Sequence, residues 1–205
     1  MKRLIAITGF IIFSVSLIRA QNGLVISLEA GPTFPIGNFG QENEGEDGYA
    51  KSGWAGSGSA AYQINENFRV GAKGGFLTNG VQEDAIAFVD NSPWESAVIL
   101  GQVTFSQPLS SNLFLELEGG AGLIQTKFPD ATISIGGFNL TRNGETGRGL
   151  AWQLGGGFRY DLSRDFAFRL SGNYLNGKPG FDDGGERYTQ DIGLINLNWG
   201  ILFML

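Results

Sequence analysis

The chain ends with the stretch Gly193-Leu-Ile-Asn-Leu-Asn-Trp-Gly-Ile-Leu-Phe-Met-Leu205, and this stretch decides the fold class. From Ile195 onward every second residue is large and apolar, whereas the positions between them begin with two asparagines and a glycine. A period of two predicts a β-strand with one apolar face. This strand runs to the end of the chain, and an open apolar edge would promote aggregation. We therefore expect both of its edges to be paired, as in a closed barrel.

The same segment resembles the C-terminal assembly signal of bacterial outer-membrane β-barrels. In that signal a polar residue and a glycine precede two apolar residues, and Asn198, Gly200, Phe203 and Leu205 follow this pattern. Such proteins usually end in an aromatic residue, whereas this chain ends in Leu205. The resemblance implies that the barrel-assembly machinery contacts this strand during insertion.

Seven earlier segments show the same alternation, most clearly at 113–123, where leucines alternate with Glu116, Glu118 and glycines. Long loops and short turns follow one another in strict order between the segments. Eight strands with this asymmetry predict an all-β, antiparallel up-and-down transmembrane barrel. The strands are predicted at 24–34, 52–62, 68–76, 96–106, 113–123, 150–160, 166–174 and 195–205.

The third long loop, residues 127–147, contains a further signal. Residues 133–140 alternate around Gly136-Gly137, which predicts a β-hairpin. We expect the two barrel strands that flank this loop to project beyond the membrane.

The N-terminus predicts export. Lys2 and Arg3 precede an apolar run that ends at Leu17, and small Ala20 marks the expected cleavage point. The alternative is a membrane anchor, but the run is shorter than the ~20 residues that a spanning helix needs. We therefore predict a signal peptide at 1–20, the general secretory route, and one barrel domain at 21–205.

Composition excludes several classes of function. Cleavage would remove Lys2, Arg3 and Arg19 from the 14 basic residues and none of the 20 acidic residues, leaving a net charge of −9. Nucleic acid is a poor partner for such a chain. The chain has no Cys and no His, so disulfides, thiolate metal sites, a lipid-anchored N-terminal Cys and the commonest general base are excluded.

Three features indicate that the apolar face of the strands meets lipid. Aromatic residues of this face collect at strand ends, for example Trp54 and Trp152 toward the long loops and Tyr160 and Phe203 toward the short turns. Two such girdles fit the two interfaces of a bilayer. The opposite face is rich in glycine, as a narrow lumen requires, and its charges nearly balance. A secreted lipocalin-like barrel, with the apolar face inside around a ligand, is the alternative.

The charges of the polar face are expected to meet in the lumen. Two interpretations remain open: a structural ion-pair network that fills the barrel, or a gate that opens a small pore when pairs exchange partners. Buried charges must be paired in either case. Glu116 and Arg159 lie on adjacent predicted strands, so their pairing is reasonable. The network is predicted to consist of Glu29, Arg69, Lys73, Glu116, Glu118, Arg159 and Arg169.

We find no catalytic, cofactor or metal motif and predict no cofactor. Glu116 and Glu118 point the same way from one strand and could act as an acid/base pair, but lumenal cations favour a structural role. Ser–Lys chemistry remains formally open. The acidic first loop and Asp182-Asp-Gly-Gly-Glu186 offer oxygen ligands for Ca²⁺ without the spacing of a dedicated site.

Over nearly the whole mature chain the sequence resembles the small OmpA/OmpX-type outer-membrane barrels. The resemblance implies an outer-membrane location in a Gram-negative bacterium, contact with outer-membrane lipid, and a monomer. It leaves three functions open, which are a non-enzymatic surface protein whose loops contact an extracellular ligand, a narrow channel, and a carrier of small hydrophobic molecules.

Overall fold

The computed structural model of the chain describes residues 23–41, 48–82, 89–135, 138–142, 144–183 and 186–205. The expected signal peptide at 1–20 and the acidic residues of the first loop at 42–47 lie outside the described residues. Within these ranges no helix is long and apolar enough to cross a membrane.

The described residues are almost entirely β-structure. In chain order the elements are β1 (Leu24–Ile36), the 3-10 helix η1 (Gly37–Phe39), β2 (Ala50–Gln63), β3 (Phe68–Val81), β4 (Val89–Asn91), β5 (Trp94–Pro108), β6 (Leu113–Lys127), β7 (Ala131–Ile135), β8 (Phe138–Arg142), β9 (Thr146–Asp161), β10 (Phe166–Gly177), β11 (Gly180–Asp183), β12 (Glu186–Thr189) and β13 (Ile192–Met204).

Eight of these strands form a closed antiparallel barrel, which confirms the predicted fold class. Around the barrel they run β1, β2, β3, β5, β6, β9, β10 and β13, and the last strand pairs with the first. In that closing pair Val25 lies opposite Met204 and Ile36 lies opposite Gly193. The C-terminal strand is therefore paired on both edges, by β1 and β10.

The remaining strands extend the loops at one end of the barrel. β7 and β8 form the predicted hairpin, with Ile133 opposite Leu140, and Gly136-Gly137 at its tip lies outside the described residues. β4 pairs with β7, and β11 pairs with both β12 and the start of β9. All of these strands belong to the long connections, which we assign to the extracellular side.

The predicted barrel strands are present but extend further at the long-loop end. β3 continues to Val81 and β5 begins at Trp94, so the loop between the predicted strands 68–76 and 96–106 is shorter than expected. The reason is that alternation fades there. Leu77 and Leu100 point inward and are buried, so apolar residues occupy both faces of the sheet.

Side chains on the two faces of the barrel wall are sorted as predicted for a membrane protein. Leu117 and Leu154 point outward and are more than half exposed, whereas Glu116 and Gln153 beside them point inward and are buried. Outward aromatic residues lie at both ends of the strands, for instance Trp54 and Phe76 near the long loops and Tyr160 and Phe168 near the short turns. Their positions fit the two interfaces of a bilayer.

Candidate functional site: the two halves of the lumen

Most charges in the half of the lumen nearer the short turns lie on every second strand. Around the barrel, β1 carries Glu29, β3 carries two cations, β6 carries two glutamates and β10 carries Arg169. Apart from β9, which carries Arg159 and Asp161, the strands between them contribute mostly glycine, serine, threonine and amide side chains to the interior. The sign of the charge alternates along the four strands β1, β3, β6 and β10. Each long side chain reaches across the neighbouring strand, whose small residues leave room for it.

Arg169 lies at the centre of this arrangement. Its Nη1 is 2.8 Å from Glu29 Oε1 and its Nη2 is 2.6 Å from Glu118 Oε2. Its Nε is 3.0 Å from Glu116 Oε2, in an ion pair without the alignment of a hydrogen bond. One guanidinium thus contacts all three predicted lumenal glutamates, and all four side chains are buried.

Glu116 is the most heavily paired carboxylate. Its Oε1 accepts from Arg69 Nη2, from Arg159 Nη1 at 3.1 Å, and from the hydroxyl of Ser106 at 3.1 Å. A fully buried carboxylate requires compensation of this kind, because desolvation of an unpaired charge costs several kcal/mol.

Lys73 joins the other two glutamates more loosely. Its Nζ is 3.4 Å from Glu118 Oε1 and 3.9 Å from Glu29 Oε2. Gln153 from β9 donates to Glu118 Oε1 at 2.6 Å. The structure therefore places all seven predicted lumenal residues in one continuous network.

Sequence reasoning missed Asp161, the residue that balances this network. Its carboxylate accepts from Arg159 at 2.8 and 3.3 Å, and the guanidinium also lies 4.0 Å from the centre of the Phe114 ring. With Asp161 the network contains four acidic and four basic side chains. The missed signal was its position two residues after Arg159, which puts both side chains on the inner face although Asp161 ends the strand.

Glycines on the inner face make room for the carboxylates. In the strand register Glu116 lies opposite Gly157, Glu118 opposite Gly155, and Glu29 opposite Gly200. A Cβ at position 157 would overlap with the neighbouring strand, at the carbonyl oxygen of Leu170. The inner glycines therefore also allow neighbouring strands to approach closely.

Most of the large buried side chains in the half of the lumen nearer the long loops are apolar, which corrects the prediction of a polar interior, although Ser96 and Thr126 share a 2.9 Å hydrogen bond there. We call this cluster the apolar plug. Trp94 donates from Nε1 to the carbonyl oxygen of Gly48 at 3.0 Å, and its ring packs edge-on against Phe39 and Phe128. Side chains at the long-loop end therefore close the lumen on that side. The buried members of the plug are Phe39, Ala50, Leu77, Trp94, Leu100, Ile124, Ala151, Leu175, Phe181, Ile192 and Leu194.

A small cavity separates the charged network from the apolar plug. Lys73, Gln153 and Asn196 line it from the polar side, and Leu77 and Leu175 line it from the apolar side. It has about 20 Å³ of space for water, which is room for about one molecule. Through the part of the chain that the structure describes, the lumen is therefore filled above and below this cavity.

The four residues of the predicted assembly signal divide between the two faces of β13. Asn198 and Gly200 point into the lumen, where Gly200 faces Glu29, and Phe203 and Leu205 are on the exposed side. Phe203 contacts the ring of Phe166 edge-on on the neighbouring strand. Gly200 therefore has a packing role in the barrel, while recognition by the assembly machinery stays a prediction.

The network leaves little freedom for catalysis by Glu116 and Glu118. Both carboxylates are buried and bound by cationic side chains, so neither is open to a substrate. The possible Ca²⁺ ligands of the first loop lie outside the described residues, as does the Gly-Gly pair between Asp183 and Glu186.

Comparison with protein families identifies the fold. The family model described as "Outer membrane protein beta-barrel domain" matches residues 15–199, which is most of the chain. The chain belongs to this outer-membrane β-barrel family. Membership confirms the suspected family and implies location in the bacterial outer membrane.

Solved structures resemble this outer-membrane barrel in fold. A major outer membrane protein from Thermus thermophilus aligns with a TM-score of 0.56 at 12% identity, covering 89% of this chain and 99% of that chain. Neisserial surface protein A aligns with a TM-score of 0.51 at 14% identity, covering 89% and 97%. A comparison with curated protein sequences found no match.

Proposed function

We propose that this outer-membrane barrel is a non-enzymatic surface protein whose lumen is closed and whose extracellular loops form its contact surface. The observation that carries the proposal is the double filling of the lumen. A balanced ion-pair network fills the lower half, and buried apolar side chains fill the upper half. Both fillings occupy the lumen with buried side chains, so neither resembles a passage held open for solute.

The long loops support a contact role because much of their described length is ordered β-structure. The hairpin of β7 and β8 pairs with β4, and the hairpin of β11 and β12 extends from β9. Loops built on a rigid scaffold commonly carry binding functions in proteins. The partner of this surface is an extracellular molecule, and the barrel acts as a monomer.

Conductance across planar lipid bilayers tests the proposal. We expect the purified, folded protein to give no steady single-channel steps. Steps that change in size in Arg69→Gln or Glu118→Gln, but not in the control Lys178→Gln at the loop end outside the lumen, would overturn the closed-lumen proposal in favour of a narrow channel.

The apolar plug favours one second candidate, a carrier of small hydrophobic molecules. A carrier needs an apolar interior on the extracellular side, and Leu100 and Leu175 lie in such a region. Proteoliposomes with the barrel should then take up a fluorescent fatty acid faster than protein-free vesicles. Leu100→Phe, which overfills the interior, should abolish the gain, and the lipid-facing control Leu123→Phe should not. Equal uptake with and without protein would reject this candidate.

A further inference from the structure

Aromatic rings from all four long connections of the barrel pack against one another in a single series. The first connection contributes Phe39, and the second ends at Trp94. The third contributes Phe128, and the fourth contributes Phe181 and Tyr188. We call these five residues the aromatic chain. Because its members are far apart in sequence, the chain joins connections that share no other local link.

The spacing of the rings is that of interacting aromatic pairs. The ring centroid of Trp94 lies 5.3 Å from that of Phe39 and 4.7 Å from that of Phe128. The centroid of Phe181 lies 6.1 Å from that of Phe128 and 5.2 Å from that of Tyr188. All four distances are within the range of favourable edge-on or stacked contacts. The series is therefore continuous from the first connection to the fourth.

The aromatic chain runs from the buried interior to the surface. Phe39, Trp94 and Phe181 are at most 2% exposed and belong to the apolar plug. Phe128 and Tyr188 are each more than a third exposed. A change at the exposed rings is therefore connected, ring by ring, to the side chains that close the lumen.

The inner end of the aromatic chain holds the first connection in place. The ring of Phe39 packs directly on Gly48, where a Cβ would be 2.6 Å from a ring carbon. Trp94 donates to the carbonyl oxygen of Gly48, and the Gly48 amide donates to that of Asn38 at 2.8 Å. The next residue, Tyr49, has a φ of 48°, in the left-handed region that such residues rarely adopt. A strained conformation of this kind persists only while the surrounding contacts hold it.

Close packing and hydrogen bonds reinforce the aromatic chain at the other connections. The ring of Phe181 lies over Gly147 of β9, where a Cβ would be 2.8 Å from two ring carbons. The second and third connections are joined by Ser92 and Asp130. The Asp130 amide donates to the Ser92 hydroxyl at 2.7 Å, and the Ser92 amide donates to the Asp130 carbonyl at 3.0 Å. Each connection is thus tied to its neighbour.

We propose that the four long connections open as one cooperative unit, in which the aromatic chain couples the exposed rings of Phe128 and Tyr188 to the closure of the lumen by Phe39. Segments that share buried contacts open together in native proteins. A molecule that binds the packed arrangement of the outer rings therefore also stabilises the closure, because a ligand shifts an equilibrium toward the state that it prefers. The coupling goes beyond the proposed function and holds whichever partner the loops contact.

Hydrogen exchange of backbone amides, followed by NMR of the barrel in lipid nanodiscs, tests the coupling. Phe181→Leu removes a buried ring but keeps an apolar side chain, and Tyr188→Leu removes the exposed ring. In both variants we expect exchange of the Gly48 amide to rise about fivefold, as for the loss of one aromatic pair, although both residues lie beyond Phe128 in the aromatic chain. The matched control Phe76→Leu removes an outward ring at the same end of the barrel and should leave this exchange unchanged.

The reciprocal substitution completes the test. Phe39→Leu at the inner end should raise exchange in the β11–β12 hairpin by a similar factor, because coupling acts equally in both directions. A rise confined to the connection that carries the substitution would overturn the proposal, since the connections would then open independently. An equal rise at Gly48 and at Leu117 in the barrel wall would also overturn it, because the loops would then open only when the whole barrel unfolds. The same holds for a response to Phe76→Leu as large as that to Phe181→Leu.

Discussion

The two halves of the lumen fill the same narrow space with opposite chemistry. The lower half packs four carboxylates against four cations, and Arg169 alone contacts three of the carboxylates. The upper half packs aliphatic and aromatic side chains, with Leu100 and Leu175 almost completely buried. Both halves close the barrel, but the physical consequences of damage differ.

In the charged half, one substitution disturbs several ion pairs at once, whereas in the apolar half the cost of a substitution follows the volume that is removed. Removing one member of a buried ion-pair network leaves its partners charged and unpaired, so the penalty exceeds the value of the lost contact. Removing part of an apolar side chain costs its transfer free energy and a cavity term that depends on local relaxation. Matched substitutions in the two halves can therefore measure this difference directly.

The largest effect is expected for Glu116→Gln. The change leaves Arg69, Arg159 and Arg169 facing a neutral side chain and should lower the free energy of unfolding by about 3–5 kcal/mol. Urea unfolding in lipid vesicles, followed by heat-modifiable gel migration, measures it. The exposed control Glu95→Gln should change the free energy by less than about 0.5 kcal/mol. Similar effects of the two changes would mean that the network is not interdependent.

A smaller effect is expected in the apolar plug. Leu100→Ala should lower the free energy of unfolding by about 2–4 kcal/mol through lost burial and a new cavity. The same unfolding measurement applies, with Leu123→Ala as a control that removes the same atoms from the lipid-facing surface. If the control costs as much as Leu100→Ala, the upper lumen is not packed as a core.

A third substitution tests how the plug is anchored. Trp94→Phe removes the hydrogen bond to the Gly48 carbonyl while keeping an aromatic ring, and should cost about 1 kcal/mol. Hydrogen exchange of the amides near the first loop should increase together with this loss of stability. Trp54→Phe, on the outer face, is the matched control and should leave that exchange unchanged.

The smallest effect concerns Asp130, which lies outside the barrel wall. A hydrogen bond from Lys127, followed by one from the Gly144 amide, lowers the pKa of Asp130 below its ordinary value. The folded state is therefore favoured at neutral pH, and this contribution is lost as the pH falls through the lowered pKa. Exchange of the Gly144 amide should rise in that acidic range, and Asp130→Asn should remove the dependence. A pH profile unchanged by that substitution would contradict the assignment.

Much of the fold could be predicted because alternation is a local property of the chain. A side chain two residues along a strand returns to the same face whatever the rest of the protein does. The starts of strands such as β1, β3, β6 and β10 are therefore at their predicted residues. The end of β3 and the start of β5, near the long loops, were not predicted. Leu77 and Trp94 make the inner face apolar there as well, so the alternation is lost.

The composition of the lumen could be predicted only in part. The seven charged side chains share the polar face of their strands, so their inward direction followed from the sequence. Asp161 lies one residue beyond the predicted strand at 150–160, and Leu100 points inward although it is apolar. The division of the lumen into a charged and an apolar half emerged only when all eight strands were aligned.

The sequence by itself determined the barrel, its lipid-facing surface and seven of the eight charges of the lumenal network, because each depends on a period of two and on the spacing of turns. The tertiary structure alone decided which charges meet. Arg169 on β10 contacts Glu29 on β1 and Glu118 on β6, and a strand separates it from each of them. Contacts across a closed lumen depend on the stagger of strands around the whole ring, and no single strand encodes that stagger.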